Sequence, residues 1–408
     1  MSSGAFLACE IVAGENPLPT LCCAWERGER VLLVSKNMSA LARQQLFTSA
    51  RVQTVAPTSA GDHAGQKINL DAYPSTASVL IETSGSSAAP RLVEIGLDAL
   101  VASARIGAHA IAFGPGDVWH ASLPATHIGG LMIHVRALVL GGAIRYAGAA
   151  QCWADLHGVT HVSLVATQLA RLLQDTNQPP SSLKAIMLGG GPSSQSLRDS
   201  ALRIGLPLFA TYGMTETASQ IATGPIAMGD AATLAGAPLP GIQILIDSSN
   251  NEILVHGPTM ARATLVNGNL VPLPVPLRTR DVGFIDEQGA LHISGRLDAM
   301  FISGGRNIHP ETIERALMQF SEVCSACVVG IANEKWGMRP VAFVQLAPLP
   351  RKTQPRISLV KQLRETLEPF LVPDLIFEMP VEEISRMKPS RAALAQRLAQ
   401  GERFQALA

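Results

Sequence analysis

Between about residues 76 and 247, short runs of Val, Ile and Leu alternate with helix-length patterns: "ASVLIET", "LDALVASARIGAHAI", "VWHASLP" and "GGLMIHVRALVLGG". That alternation predicts an α/β domain in which helices bury both faces of the strands. "NEILVHG" and "ALHISGR" then predict half-exposed strands. Between these two, "NGNLVPLPVPLRTRD" holds three prolines and reads as a connector. No internal repeat is present.

A length of 408 residues exceeds what one core ordinarily serves, so two or more domains are expected. The final hundred residues have a different character. In "HPETIERALMQF", Pro310 suits the first position of a helix, and Ile313, Ala316, Leu317 and Phe320 share one face. "SACVVGI", "VAFVQLA", "SLVKQLRETLEPF" and "DLIFEMP" follow, which predicts a compact α+β unit. The boundary is placed after "GRLD", giving a large domain over residues 1–297 and a small, mobile one over 298–408. Lys plus Arg and Asp plus Glu each number 32, so the balance gives no sign of nucleic-acid or anionic-membrane binding. Small molecules are the expected partners, and homo-oligomer formation stays open.

The start, "MSSGAFLACEIVAGENPLPT", has neither a basic leader nor a long apolar run, and no later stretch of 18 apolar residues follows. A cytoplasmic protein without membrane insertion is expected. Six cysteines in so long a chain do not form a disulfide framework. Cys324 and Cys327 of "CSAC" have redox or metal spacing, but they lie in an apolar strand-like run and read as structural.

The polar stretches carry the chemistry. "TSGSSAAPR" joins Thr83, Ser84, Gly85, Ser86 and Ser87 to Arg91. Small residues let backbone N–H groups approach phosphate oxygens, and a cation adds charge, although the same composition also makes surface turns. "ATYGMTETASQ" offers the Thr215 hydroxyl to a phosphate oxygen and the Glu216 carboxylate to Mg2+, which takes oxygen ligands. Asp281 in "RTRDVGF" has two oxygens for the two hydroxyls of a ribose. "SGRLDAMFISGGRNIHPETIE" adds Arg296 and a second glycine loop, and "SRMKPSRAAL" adds Lys388. Taken singly, these are also an ordinary turn aspartate, a surface arginine and a solvated lysine.

In this order and at these distances the segments resemble the adenylate-forming superfamily of acyl-CoA synthetases over about residues 80–395. The resemblance implies ATP and CoA as co-substrates, with Mg2+. It implies that Thr83, Ser84, Gly85, Ser86, Ser87 and Arg91 hold the β and γ phosphates, and that Gly189 and Gly190 of "LGGG" lie beside adenine. Tyr212, Gly213, Thr215 and Glu216 fall in the motif that contributes phosphate and metal contacts. Asp281 falls on the ribose aspartate, Arg296 on the arginine beside it, and Asp298 on the hinge. Gly304 and Gly305 match the loop used in thioester formation, and Lys388 the lysine of adenylation.

Within the superfamily, "SLVATQLARLL", "SLKAIMLGGG", "GAPLPG", "TRDVG", "GRLDAMFISGG" and "LPATHIGG" look like segments of the branch that joins o-succinylbenzoate to CoA. That branch has arginine after the threonine of "TRD" where other members carry glycine. The narrower resemblance assigns His127, Arg136, Thr167 and Gly190 to the acyl pocket, and counts His127 with Lys388, Thr215 and Glu216 among the catalytic residues. Arg136, on a helix nine residues after His127, suits a carboxylate because guanidinium pairs with it bidentately.

Departures are visible too. Ser87, Ala88 and Arg91 replace the usual threonine, glycine and lysine of the phosphate loop, and guanidinium is no drop-in for an ammonium. The part before that loop is short, so the large domain's N-terminal layer is expected to be absent or reduced. Three readings stand: the o-succinylbenzoate ligase; a ligase for another aryl acid or one loading a carrier protein; and a nucleotide-binding protein without turnover.

Overall fold

The computed structural model describes residues 6–11, 15–55, 67–83, 91–320, 322–346, 359–384 and 389–407. Among these residues the strands form two large sheets and one small one. The first has seven strands. Its strands Phe6–Ile11, Arg30–Ser35, Val52–Val55 and Ser78–Thr83 run parallel to their neighbours, and Arg91–Gly96 turns back antiparallel to Ser78–Thr83. Helices Leu18–Glu26 and Ala40–Ala50 accompany the N-terminal strands of this sheet.

The second sheet has eleven strands and two halves. Five run parallel: Leu208–Met214, Ala185–Leu188, His161–Leu164, Val118–His120 and Ala143–Arg145. The rest are antiparallel, from Ser219–Pro225 through Leu234–Pro238, Leu291–Arg296, Leu277–Ile285 and Glu252–His256 to Gln243–Ile246.

Helices Leu97–Gly107 and Ile128–Leu140 fill the space between the two sheets. Leu131, Val135 and Leu138 of the second helix join the core of the first sheet, while its Ile133 and Ala137 pack with Trp119, Ala185 and Met187 of the second. A helix buried on several sides reads as the near-continuous apolar run "LMIHVRALVL", and truncating one such Leu to Ala costs about 2–5 kcal/mol. Gly141 ends this helix in a left-handed conformation at φ 88°. Near its start, a Cβ on Gly130 would lie 2.1 Å from the Pro124 carbonyl oxygen, so the "GG" permits a close approach. Helices on the outer faces complete helix–sheet–helix–sheet–helix layering: Leu46 and Ala50 cover one sheet, and Leu169, Leu172 and Ala201 the other.

The proline-rich "connector" is corrected by the structure. Asn269–Pro272 pairs with Ala263–Val266 as a hairpin at the edge of the first sheet, and Leu277–Ile285 is a nine-residue strand. Proline is tolerated on an edge strand because no ladder bond is lost there. "NEILVHG" is also more buried than expected: Glu252, Ile253 and Val255 are all inaccessible.

From Phe301 onward a smaller sheet, built on the long pair Val323–Asn333 and Gly337–Leu346, has its own cores. Helices Pro310–Leu317 and Leu359–Thr366 cover one face, and helix Arg391–Ala399 the other. Cys324 is half-buried and Cys327 buried on the strand Val323–Asn333 of this sheet. No described helix is long and apolar enough to cross a membrane.

Candidate functional site

The predicted residues gather at the carboxyl ends of four neighbouring parallel strands, where open α/β sheets bind ligands. His127 follows Val118–His120, Thr167 follows His161–Leu164, Gly189 and Gly190 follow Ala185–Leu188, and Tyr212 to Glu216 close Leu208–Met214. Cross-links hold these loops in register. Ser122 Oγ donates to the Ser163 carbonyl at 2.5 Å, and Gln168 Oε1 accepts the Val165 N–H at 3.0 Å, beside the half-buried Thr167. Glycine is required at Gly189, where a Cβ would meet Thr211 Cγ2 at 2.5 Å, while Gly190 has φ 77°.

The "YGMTE" segment is a sharp reversal. A Cβ on Gly213 would lie 1.9 Å from the Ser219 carbonyl oxygen, and Ala218 and Ser219 have φ 49° and 86°. Thr217 locks the turn, its Oγ1 accepting the Met214 N–H at 3.1 Å. Thr215 and Glu216 are thereby presented half-buried at the rim. Burial raises the Glu216 pKa, and the charges of Arg296 and Arg91 oppose that rise. Arg91 itself pairs in register with Thr83, whose Oγ1 donates to the Arg91 carbonyl at 3.3 Å. Ser84, Gly85, Ser86 and Ser87 lie outside the described residues.

Across the reversal stands a line of alternating charge. Asp281, 6% exposed, accepts the Tyr212 hydroxyl at 2.6 Å and pairs with Arg296 at 3.0 Å. Arg296 also grips Asp298 bidentately, at 2.8 and 3.0 Å. The hydrogen bond from Arg296 is the main cause of a lowered Asp298 pKa, and burial, followed by the charge of Asp281, pushes the Tyr212 phenol far up. Two residues hold this line: Glu252, which sequence reasoning missed, and Arg280, noted in the sequence only as the arginine after the threonine of "TRD". Buried Glu252 accepts the Arg280 N–H at 3.0 Å and the Arg278 guanidinium at 2.5 Å. Arg280 precedes Asp281 at φ 65°, a left-handed conformation that costs a side chain-bearing residue about 1–2 kcal/mol.

Arg136 lies on the helix Ile128–Leu140 between the two sheets. It is 3% exposed, donates to Gln220 Oε1 at 2.5 Å and lies over the Trp119 ring at 5.2 Å. Burial lowers its pKa to about 10. No carboxylate pairs with it among the described residues. His127, at the start of the same helix, is solvent-accessible yet flanked by enough protein for desolvation to lower its pKa.

Comparison with known proteins identifies the arrangement. The AMP-binding enzyme family matches residues 15–264, and the AMP-binding enzyme C-terminal domain matches residues 312–388. This chain belongs to the AMP-binding enzymes. It is 33% identical to the 2-succinylbenzoate–CoA ligase of Salmonella typhimurium, over 97% of this chain and 90% of that protein. A variant of Escherichia coli MenE with bound OSB-AMS superposes with a TM-score of 0.81 at 29% identity, covering 97% of this chain and 88% of that one. Bacillus subtilis o-succinylbenzoate CoA synthetase, in complex with the acyl-adenylate intermediate OSB-AMP, gives 0.79 at 26% identity, covering 95% and 88%.

In the small unit of this AMP-binding enzyme, Gly304 and Gly305 form the tip of the hairpin Phe301–Ser303 to Arg306–Ile308, at φ 56° and 79°. Positive φ at both central positions is the type I′ geometry, for which glycine pairs are suited. The Gly304 N–H donates to the Trp336 carbonyl at 2.8 Å, and a Cβ there would strike the indole at 2.9 Å. Trp336 was missed from sequence, because its 46% exposure beside the glycine tip is visible only in the structure. Lys388 lies outside the described residues. Three positions on, Arg391 pairs with Glu311 at 2.9 Å and Glu314 at 2.8 Å, and Ser390 donates its N–H to Glu383 at 2.7 Å.

Proposed function

We propose that this enzyme activates o-succinylbenzoate with ATP and transfers the acyl group to CoA, yielding o-succinylbenzoyl-CoA, AMP and pyrophosphate. The observation that carries the choice of acid is Arg136: a buried guanidinium with no carboxylate partner among the described residues. The substrate has two carboxylates. If the succinyl one reacts, the aromatic one is left to supply the missing charge.

In the first half-reaction a carboxylate oxygen attacks the α-phosphorus, and the bond to the β-phosphate oxygen breaks with its electron pair, releasing pyrophosphate. Asp281 would hold the ribose hydroxyls; Tyr212 and Arg296 fix the orientation of its carboxylate. Gly189 and Gly190 leave room beside adenine. Thr83, Arg91 and the loop between them, with Thr215 and Lys388, would meet the phosphate charge as it builds, and one preorganised donor of this kind contributes about 10²–10³ in rate. Glu216 fits a site for Mg2+, which commonly takes one carboxylate plus substrate phosphate oxygens, because its carboxylate is presented half-buried at the rim of the site. When bound, the ion would neutralise phosphate charge.

The second half-reaction breaks the acyl–phosphate bond as the CoA sulfur takes the acyl carbon; AMP leaves and the thiol proton passes to solvent. We assign Asp298 as the hinge between residues 1–297 and 298–408. Rotation there would withdraw Lys388 and bring the Gly304–Gly305 tip to the thiol. His127 and Thr167 would line the acyl pocket. Mass spectrometry of the product tests the whole reading: the thioester mass should appear only when ATP, Mg2+, CoA and o-succinylbenzoate are all present. Thioester without ATP, or none with this acid, would sink it.

A further inference from the structure

Arg280 is strained without an evident backbone need. Its φ of 65° lies where glycine is at ease and a long side chain is not. Such a conformation persists where neighbours over-determine it. Here the Glu252 carboxylate accepts the Arg280 N–H at 3.0 Å, and the Arg280 carbonyl accepts the Leu297 N–H at 2.8 Å. Both bonds belong to the backbone, and glycine would make both. The arginine side chain is exposed, and among the described residues it has no hydrogen bond or ion pair.

What the side chain adds is charge beside the hinge. The bond to Leu297 places Arg280 next to Asp298, and its charge is among those that lower the Asp298 carboxyl. Asp298 is held by Arg296, which also reaches Asp281. Asp281, Arg296, Asp298 and Arg280 thus alternate in sign from the ribose side of the site to the junction of the two units.

We propose that Arg280 is a second partner for Asp298, receiving the aspartate when the Arg296–Asp298 pair opens and so setting the balance between the two arrangements of the small unit. Arg296 then stays with Asp281, and the hinge carboxylate is never left without a cation. This rests on the assignment of Asp298 as the hinge. Arg280 is a positioning residue, and because it is exposed its contribution is a tuning one, about two- to fivefold in rate.

The test compares single-turnover rates of adenylate formation and of thioester formation from presynthesised adenylate, in the full chain. Arg280→Gln and Arg280→Gly should each shift the ratio of the two rates by about two- to fivefold, while Arg280→Lys keeps the parental ratio. Added salt should narrow the difference between parent and Arg280→Gln. Asp298→Asn should also shift the ratio, and Arg280→Gln should add nothing in that background. A shift in Arg280→Gly with a parental Arg280→Gln would mean that backbone freedom matters and charge does not, overturning the inference. A parental Arg280→Gln alongside a shifted Asp298→Asn would overturn the role of Arg280 alone. A parental Asp298→Asn would remove the hinge assignment, and this inference with it.

Discussion

Arg136 and Arg391 are both set into protein, in opposite company. Arg391 joins the last helix to two buried carboxylates, Glu311 and Glu314, and donates through Nε to the Val328 carbonyl at 3.2 Å. Burial alone would lower its pKa, but Glu314 and Glu311 outweigh burial and hold it above the ordinary value. Arg136 has a neutral amide and an indole face, and burial prevails. The first cation is satisfied by the fold; the second is satisfied only in part. That difference separates an arginine that holds the molecule together from one held ready for an anion.

Breaking the satisfied pair should have the largest effect. Arg391→Ala leaves two carboxylates buried without their cation and should cost about 3–5 kcal/mol, read as a lower midpoint in urea denaturation. A variant as stable as the parent would erase the contrast. Next comes Lys388→Ala, three residues away. It should slow adenylate formation by about 10²–10³ and leave thioester formation from presynthesised adenylate near the parental rate. Equal losses in both half-reactions would show that the segment is only structural.

Removing the under-satisfied cation should do the reverse of removing Arg391. Arg136→Met should stay within about 1 kcal/mol of parental stability, because it loses a hydrogen bond but also a desolvated charge. Its kcat/KM for o-succinylbenzoate should fall by about 1.5–3 kcal/mol, with little change for an analogue lacking the aromatic carboxylate. Equal losses for both acids would make Arg136 structural. The smallest effect belongs to Glu216, another under-compensated charge. Burial places its folded pKa above the unfolded one, so its cost is absent at acid pH, where both states are protonated, and appears as pH rises through the folded value. Glu216→Gln should therefore match the parent in thermal midpoint near pH 4 and exceed it at pH 8, while adenylation slows. A parental midpoint at pH 8 would count against the buried charge.

How much of this was legible beforehand follows from sequence distance. The parallel half of the large sheet could be read because each of its strands is a local apolar run followed by a local helix. Asn269–Pro272 could not, because its pairing at a sheet edge excuses prolines that would disqualify a central strand. Asp281 was found from its own chemistry, but the Tyr212 hydroxyl that orients it is 69 residues away. Glu252 looked like an ordinary polar position in a half-exposed strand, since the backbone it supports arrives 28 residues later. Arg136 was recognisable as a cation on a helix; its lack of a carboxylate partner among the described residues is a property of everything around it and has no local signature.

The strand Leu208–Met214 runs parallel to one neighbour and antiparallel to the other. It is a seam with two inheritances. On one side, loops that follow separate parallel strands carry His127 and Thr167, proposed for the acid, and Gly189 and Gly190, proposed for adenine. On the other, antiparallel pairing locks Asp281 opposite Arg296, so the part proposed for the nucleotide tolerates little drift. A designer seeking a new acid would therefore vary the two loops that carry His127 and Thr167, and leave the strands nearer the seam, which serve the nucleotide, as they are.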